Sequence, residues 1–280
     1  MFKIRISPED PGYGTKIQMI PLMENTYSAD ENVCGELVDL SGISPLSEHE
    51  LNKFKNEIIL LSPEDFCRMK ERNNLIAAFP WRHWSVVYSL RQFIKSADAG
   101  ELVSFRIIIN LPRKSSRGKQ YFYSSFLPEI IDLCCYIASS EAEEIHINRV
   151  EEQNICFALI KLANNIVAEI ELNEVLPDSM GPVRFVRAYF KNGIFTNMPL
   201  GGDINVEGSL IATDDKIERF VHEHMNYDRG DELANLYFRM IYDIVNDLYK
   251  AETYTDFHII RKTVQRCLLD KMPCKIKESI

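Results

Sequence analysis

Glu129 and Asp132 stand three residues apart in the stretch LPEIIDLCCYI. That spacing places two side chains on one face of a helix. Two carboxylates so placed can act as general acid and base if burial raises the pKa of one of them. A plainer role is also open. Pro128 opens a helix, and acids near its start complement the positive end of the helix dipole. On the residues alone the capping role is the stronger of the two.

The other chemistry-bearing motifs are thinner. The only G-x-G is GYG at 12–14, and the position three after Gly14 is Ile17. A dinucleotide fingerprint needs a small residue there and a helix after it, yet IQMIPL runs into Pro21. The HEH at 222–224 could offer two imidazoles to a metal, but it lies between a strand pattern and a helix pattern, where a solvated loop or helix end is the better reading. No metal site is expected. His83, in PWRHWS, sits among aromatics like a packed histidine, while the neighbouring Arg82 could hold a carboxylate or phosphate bidentately. No G-x-S-x-G elbow occurs, and no motif supports cysteine catalysis.

These residues are positioned by elements whose signals differ in strength. FKIRI and GELVDLSG read as short strands, SPLSEHELNKFKN as a helix start, and EIILL as a buried strand. SPEDFCRMKERNN is a short helix with Ser62 as N-cap and Pro63 behind it. LIAAFP is a strand, SVVYSLRQFIKSADAG an amphipathic helix closing on Gly100, and ELVSFRIIINLP a long strand. The helix of Glu129 and Asp132 spans about 127–139 by its apolar pattern. Five runs between EEIHINRV and INVEGSLIAT alternate with period two, separated by turns at ANN and KNG. Short connections between consecutive strands imply antiparallel pairing, with one face covered and one open. Two helices, within 231–251 and 256–272, close the chain.

Composition narrows the class. The 280 residues carry 32 basic and 41 acidic side chains, a net charge of −9. The densest basic stretch, RKSSRGK at 113–119, reads as a loop, so no nucleic-acid footprint is expected. No apolar run is long enough to span a membrane, and no signal-peptide core is present. The seven cysteines are odd in number and fall mostly in apolar patterns without a C-x-x-C. Free buried thiols in a reducing cytoplasm fit that usage.

With the elements in order, a resemblance emerges over about residues 58–280. LIAAFPWRHWSVVYSLRQFIKSADAGELVSFRI resembles the segment of the Gfo/Idh/MocA oxidoreductases in which a strand, an Arg-aromatic turn and a helix lead into the first strand of the C-terminal domain. FLPEIIDLCCYIASSEAEEIHI resembles the family's active-site helix, and VAEIELNEV through VEGSLIATDDKIERF resembles its strand meander. The resemblance implies an α+β fold, an open, mostly antiparallel sheet with helices on one face. A reduced Rossmann-like α/β segment would precede it, residues 1–75 forming that remnant and 76–280 the C-terminal domain. It implies a substrate cleft around Arg82, His83, Glu129 and Asp132.

Three departures bear on chemistry. The Gly-rich turn is missing. By spacing, Glu57 falls where the family's Glu-Lys-Pro lysine acts. Glu129 replaces the usual active-site histidine, while Asp132 is kept. The expectation is a degenerate homologue, a non-catalytic accessory or ligand-binding subunit that associates through the open sheet face with itself or with an intact homologue. The alternative is an NAD(P)-dependent oxidoreductase acting on a sugar, sugar derivative or imine through an atypical site. Any cofactor would be NAD or NADP.

Overall fold

The computed structural model describes residues 3–6, 36–41, 48–54, 57–69, 74–113, 122–150, 155–177, 179–180, 182–197, 208–213, 217–221, 232–245 and 255–276. GYG, HEH and nearly all of RKSSRGK lie outside them. The chain divides into two compact units, residues 1–83 with 231–252, and residues 84–230 with 253–280.

The first unit is built on four short parallel strands, β1 (Lys3–Ile6), β2 (Glu36–Asp39), β3 (Ile58–Leu61) and β4 (Leu75–Ala77), paired in the order β1-β2-β3-β4. Parallel neighbours require crossovers. The described ones carry α1 (Glu48–Leu51) and α2 (Pro63–Arg68). α2 begins as its sequence signals: Ser62 Oγ accepts from the Asp65 amide at 3.1 Å, with proline just inside. Val38, Leu40, Leu51, Ile59, Leu61 and Leu75 form a buried cluster, with Phe54, Phe66 and Met69 packed against it. Leu37, Asp39 and Leu60 alternate with those residues, so they face the other side of the sheet. There α5 (Glu232–Val245) contributes Tyr237, which donates to Asp39.

The second unit holds a nine-stranded sheet in the order β12-β11-β10-β9-β5-β8-β7-β6-β13. Its long members are β5 (Leu102–Pro112), β6 (Ala142–Val150), β7 (Ile155–Leu162), β8 (Val167–Leu176) and β9 (Val183–Phe190). Shorter strands are β10 (Gly193–Thr196), β11 (Gly208–Thr213), β12 (Ile217–Val221) and β13 (Cys274–Lys275). Every pairing is antiparallel except β5 with β8. The expected fold class is thus observed, a mostly antiparallel sheet with helices, preceded by a small Rossmann-like parallel segment.

Alternation sets the two faces of the large sheet. Phe105, Ile107, Ile109, Ile145, Cys156, Ala158, Ile160, Ala168, Ile170, Leu172, Val186 and Ala188 are buried on one. That side carries α3 (Ser85–Ser96), α4 (Leu127–Ala138) and α6 (Phe257–Asp270). α3 stops at Ala97, which takes the left-handed conformation (φ 57°), three residues before Gly100. On the other face Phe157, Leu159, Val167 and Tyr189 are each at least 40% exposed. Between them Arg106 pairs with Glu171 at 2.5 Å, and Asn173 bonds Asn110 and Glu171.

Candidate functional site

In the second unit the candidate residues sit on α4. The chain is already helical before this element, as a π-helical turn over Phe122–Phe126, and Phe126 has right-handed helical geometry without a side-chain cap. Glu129 falls in the first turn of α4 and is half-buried. Asp132 is buried, 1% exposed. A carboxylate placed so deep is held by partners rather than by solvent. Its charge, after burial and the adjacent Cys135, helps to push the Cys134 thiol well above its ordinary pKa. The described cysteines 134, 135, 156, 267 and 274 are free and buried.

The π turn brings Tyr123 to the end of the sheet where β6 and β8 finish and β7 begins. The Arg149 guanidinium lies over its ring at 5.7 Å. Burial, with Cys156 and Glu174 adding to it and Arg149 opposing, pushes the phenol up to about 12. The Tyr123 hydroxyl is buried without a hydrogen-bond partner among the described residues. This end of the second unit therefore combines an unsatisfied phenol, an arginine and the nearly buried Glu174, and α4, with Glu129 and Asp132, follows directly from the π turn that carries the phenol. It can hydrogen-bond a polar ligand. No group of three or more metal-ligating side chains occurs among the described residues.

Arg82 and His83 lie in the first unit, in a 3-10 turn (Pro80–His83) just past the carboxyl end of β4. Arg82 is 3% exposed and its guanidinium stacks over Phe79 at 4.0 Å. His83 Nδ1 and Asp243 Oδ2 are 2.6 Å apart, and Arg239 Nε donates to the other oxygen of Asp243 at 3.1 Å. Burial lowers the His83 pKa, outweighing the opposite pull of Asp243, with Arg82 and Arg239 adding to the depression. The imidazole is therefore neutral at pH 7, with Nδ1–H donating to Asp243. Nearby, at the carboxyl end of β2, Asp39 is fully buried and accepts from the Ser41 amide (2.8 Å), the Ser41 hydroxyl (2.6 Å) and Tyr237.

The structure thus places Arg82 with His83 in one unit and Glu129 with Asp132 in the other. The sequence reading missed Asp39, Tyr237, Asp243 and Tyr123. An Arg-x-x-x-Asp pair at 239 and 243 was visible as an i,i+4 spacing, but nothing marked His83 as its partner. Glu57 stands at the start of β3, and its carbonyl accepts from Asn74 at 2.8 Å. That is the amino end of the strand, whereas nucleotides in parallel sheets bind outside the carboxyl ends.

Similarity to solved structures settles the architecture. An oxidoreductase from Agrobacterium radiobacter, crystallised with NAD+, L-tartaric acid and magnesium, matches with TM-score 0.65 and 9% identity over 99% of this chain and 92% of that one. The apo form of levoglucosan dehydrogenase matches with TM-score 0.67 and 8% identity, covering 98% of each chain. The myo-inositol dehydrogenase of Lactobacillus casei, solved with NAD(H) and myo-inositol, matches with TM-score 0.60 and 12% identity over 98% of this chain and 88% of that one. The fold is that of the Gfo/Idh/MocA oxidoreductases. No family model and no curated protein matches the sequence.

In the Gfo/Idh/MocA fold a dinucleotide lies in the crevice of a doubly wound sheet. That crevice forms where strand order reverses about the first strand. Here the order runs β1-β2-β3-β4 without reversal among the described residues. No helix there is long and apolar enough to cross a membrane.

Proposed function

We propose that this chain is a degenerate Gfo/Idh/MocA homologue, a non-catalytic accessory or ligand-binding subunit. The unreversed order of its parallel strands carries the reading, because it leaves the described sheet without the crevice that positions a nicotinamide. Without a hydride carrier, a carboxylate at position 129 has no redox step to serve. Glu129 and Asp132 then belong to an inherited cleft of the second unit that binds a small polar ligand, with the first unit a reduced Rossmann-like remnant. In the same reading Arg82 and His83 are ligand-binding residues of the first unit. The free thiols support a reducing, cytoplasmic setting.

The partner in this reading docks on the open face of the large sheet. Exposed Phe157, Leu159, Val167 and Tyr189 surround the Arg106–Glu171 pair, and a two-fold contact would bury these apolar side chains on both copies at once.

Two measurements test it. Titration with NADH and NADPH, followed by cofactor fluorescence and calorimetry, should give no saturable binding below about 1 mM. Light scattering on the eluting protein at micromolar concentration should give twice the chain mass, reverting to monomer in Leu159→Glu. A dissociation constant below about 100 µM for either cofactor would instead favour the alternative. In that reading the chain is an NAD(P)-dependent oxidoreductase of a sugar, sugar derivative or imine. The near-full-length likeness to an oxidoreductase holding NAD+ favours it.

A further inference from the structure

The outer edge of β6 points to a second binding site, which shares Arg149 with the end of the sheet where Tyr123 lies. β13 covers that edge only at Glu144 and Ile145. From His146 to Val150 alternate backbone N–H and C=O groups face away from β7, and no backbone partner meets them among the described residues. A cavity of about 350 Å³ lies against this bare stretch, lined by His146, Ile147, Asn148 and Arg149 from β6 and by Cys267, Leu268 and Lys271 from α6. That volume lies at the small end of ligand pockets.

Its charge is unusual for so acidic a protein. Arg149 and Lys271 both line it, and Arg149 makes no ion pair among the described residues. These cations favour a carboxylate-bearing occupant. A free anion is a poor fit, because one wall is the carboxyl end of α6, where Lys271 (φ 54°) caps the helix and the dipole is negative. An occupant must therefore bring N–H donors along with its carboxylates.

We infer that this slot accepts an extended acidic peptide of a partner protein, added as a strand to β6. Its backbone would pair with the open N–H and C=O groups of residues 146–150, and its carboxylates would meet Arg149 and Lys271. Charged side chains also guard natural sheet edges against pairing, so the test must separate recruitment from guarding.

The probe is a fluorescein-labelled hexapeptide of alternating valine and glutamate, followed by polarisation with the full chain. Saturable binding is expected. It should weaken about tenfold when alternate peptide amides are N-methylated, which removes strand pairing but keeps the charge. Arg149→Glu should weaken it similarly, and the amides of residues 146–150 should exchange more slowly in the complex. Thermal melting checks that the variant is folded. Equal binding of the methylated peptide, displacement by inorganic phosphate alone, equal binding of a valine–lysine peptide, or no binding by the folded protein at about 1 mM would each overturn the inference.

Discussion

The two units are held together in different ways. In the second, long strands alternate strictly, and Ile107 of β5 lies between Ile170 of β8 and Val186 of β9, all three buried. Stability there comes from apolar side chains stacked in register. The first unit has strands of three or four residues, too short to bury as much. It adds buried polar bonds that reach across the sequence, Asp39 to Tyr237 and His83 to Asp243, 198 and 160 residues apart. The comparison teaches that the parallel sheet is completed by a helix encoded near the other end of the chain.

The largest expected effect tests the apolar side. Ile107→Ala should cost about 4 kcal/mol, since the site is fully buried between strands that cannot collapse inward. Hydrogen exchange should show the loss throughout β5, β8 and β9. Asp39→Ala should come next, at about 3 kcal/mol, because it strands the Ser41 donors and the buried Tyr237 hydroxyl together. Its signature is faster exchange in β2 and α5 with β5–β8 unchanged. If both variants accelerate exchange everywhere, the units unfold as one block and the contrast between them fails. Tyr237→Phe, which removes one donor and keeps the ring, should cost about 1 kcal/mol in urea unfolding.

The same contrast explains what the sequence made visible. Period-two alternation marked β6 to β9 and β11, and Pro63 behind Ser62 marked α2, because those signals are local. The pairing of β5 with β8 was not visible: adjacency rules see only consecutive strands, and this parallel neighbour is reached through two others. β10, four residues directly after the KNG turn, was not read as a strand. The end of α3 was placed at Gly100 because glycine is the usual left-handed residue, whereas Ala97 takes that conformation first. Of the site, the helix carrying Glu129 and Asp132 was legible from Pro128 and the apolar pattern. The depth of Asp132, the π turn that delivers Tyr123 and the partners of Asp39 and His83 were not, since each depends on which segments meet after folding.

The smallest effect is also the most diagnostic of the polar side. His83 titrates at an ordinary pKa of 6.5 when unfolded, and burial lowers that value in the folded chain. Below pH 6.5 the unfolded state therefore binds a proton that the folded state refuses, so stability falls with pH in that range and is full above it. The facing groups do not all agree: Asp243 favours the proton, while burial, Arg82 and Arg239 oppose it. The urea midpoint of the first unit, followed by exchange in α5, should be lower at about pH 5.5 than at about pH 7.5. His83→Gln keeps a donor for Asp243 and removes the titration, so its midpoint should change less between the two conditions. A wild-type midpoint that holds steady or rises on acidification would mean that Asp243, not burial, governs the imidazole. The pair would then be a charged lock on α5 rather than a neutral one.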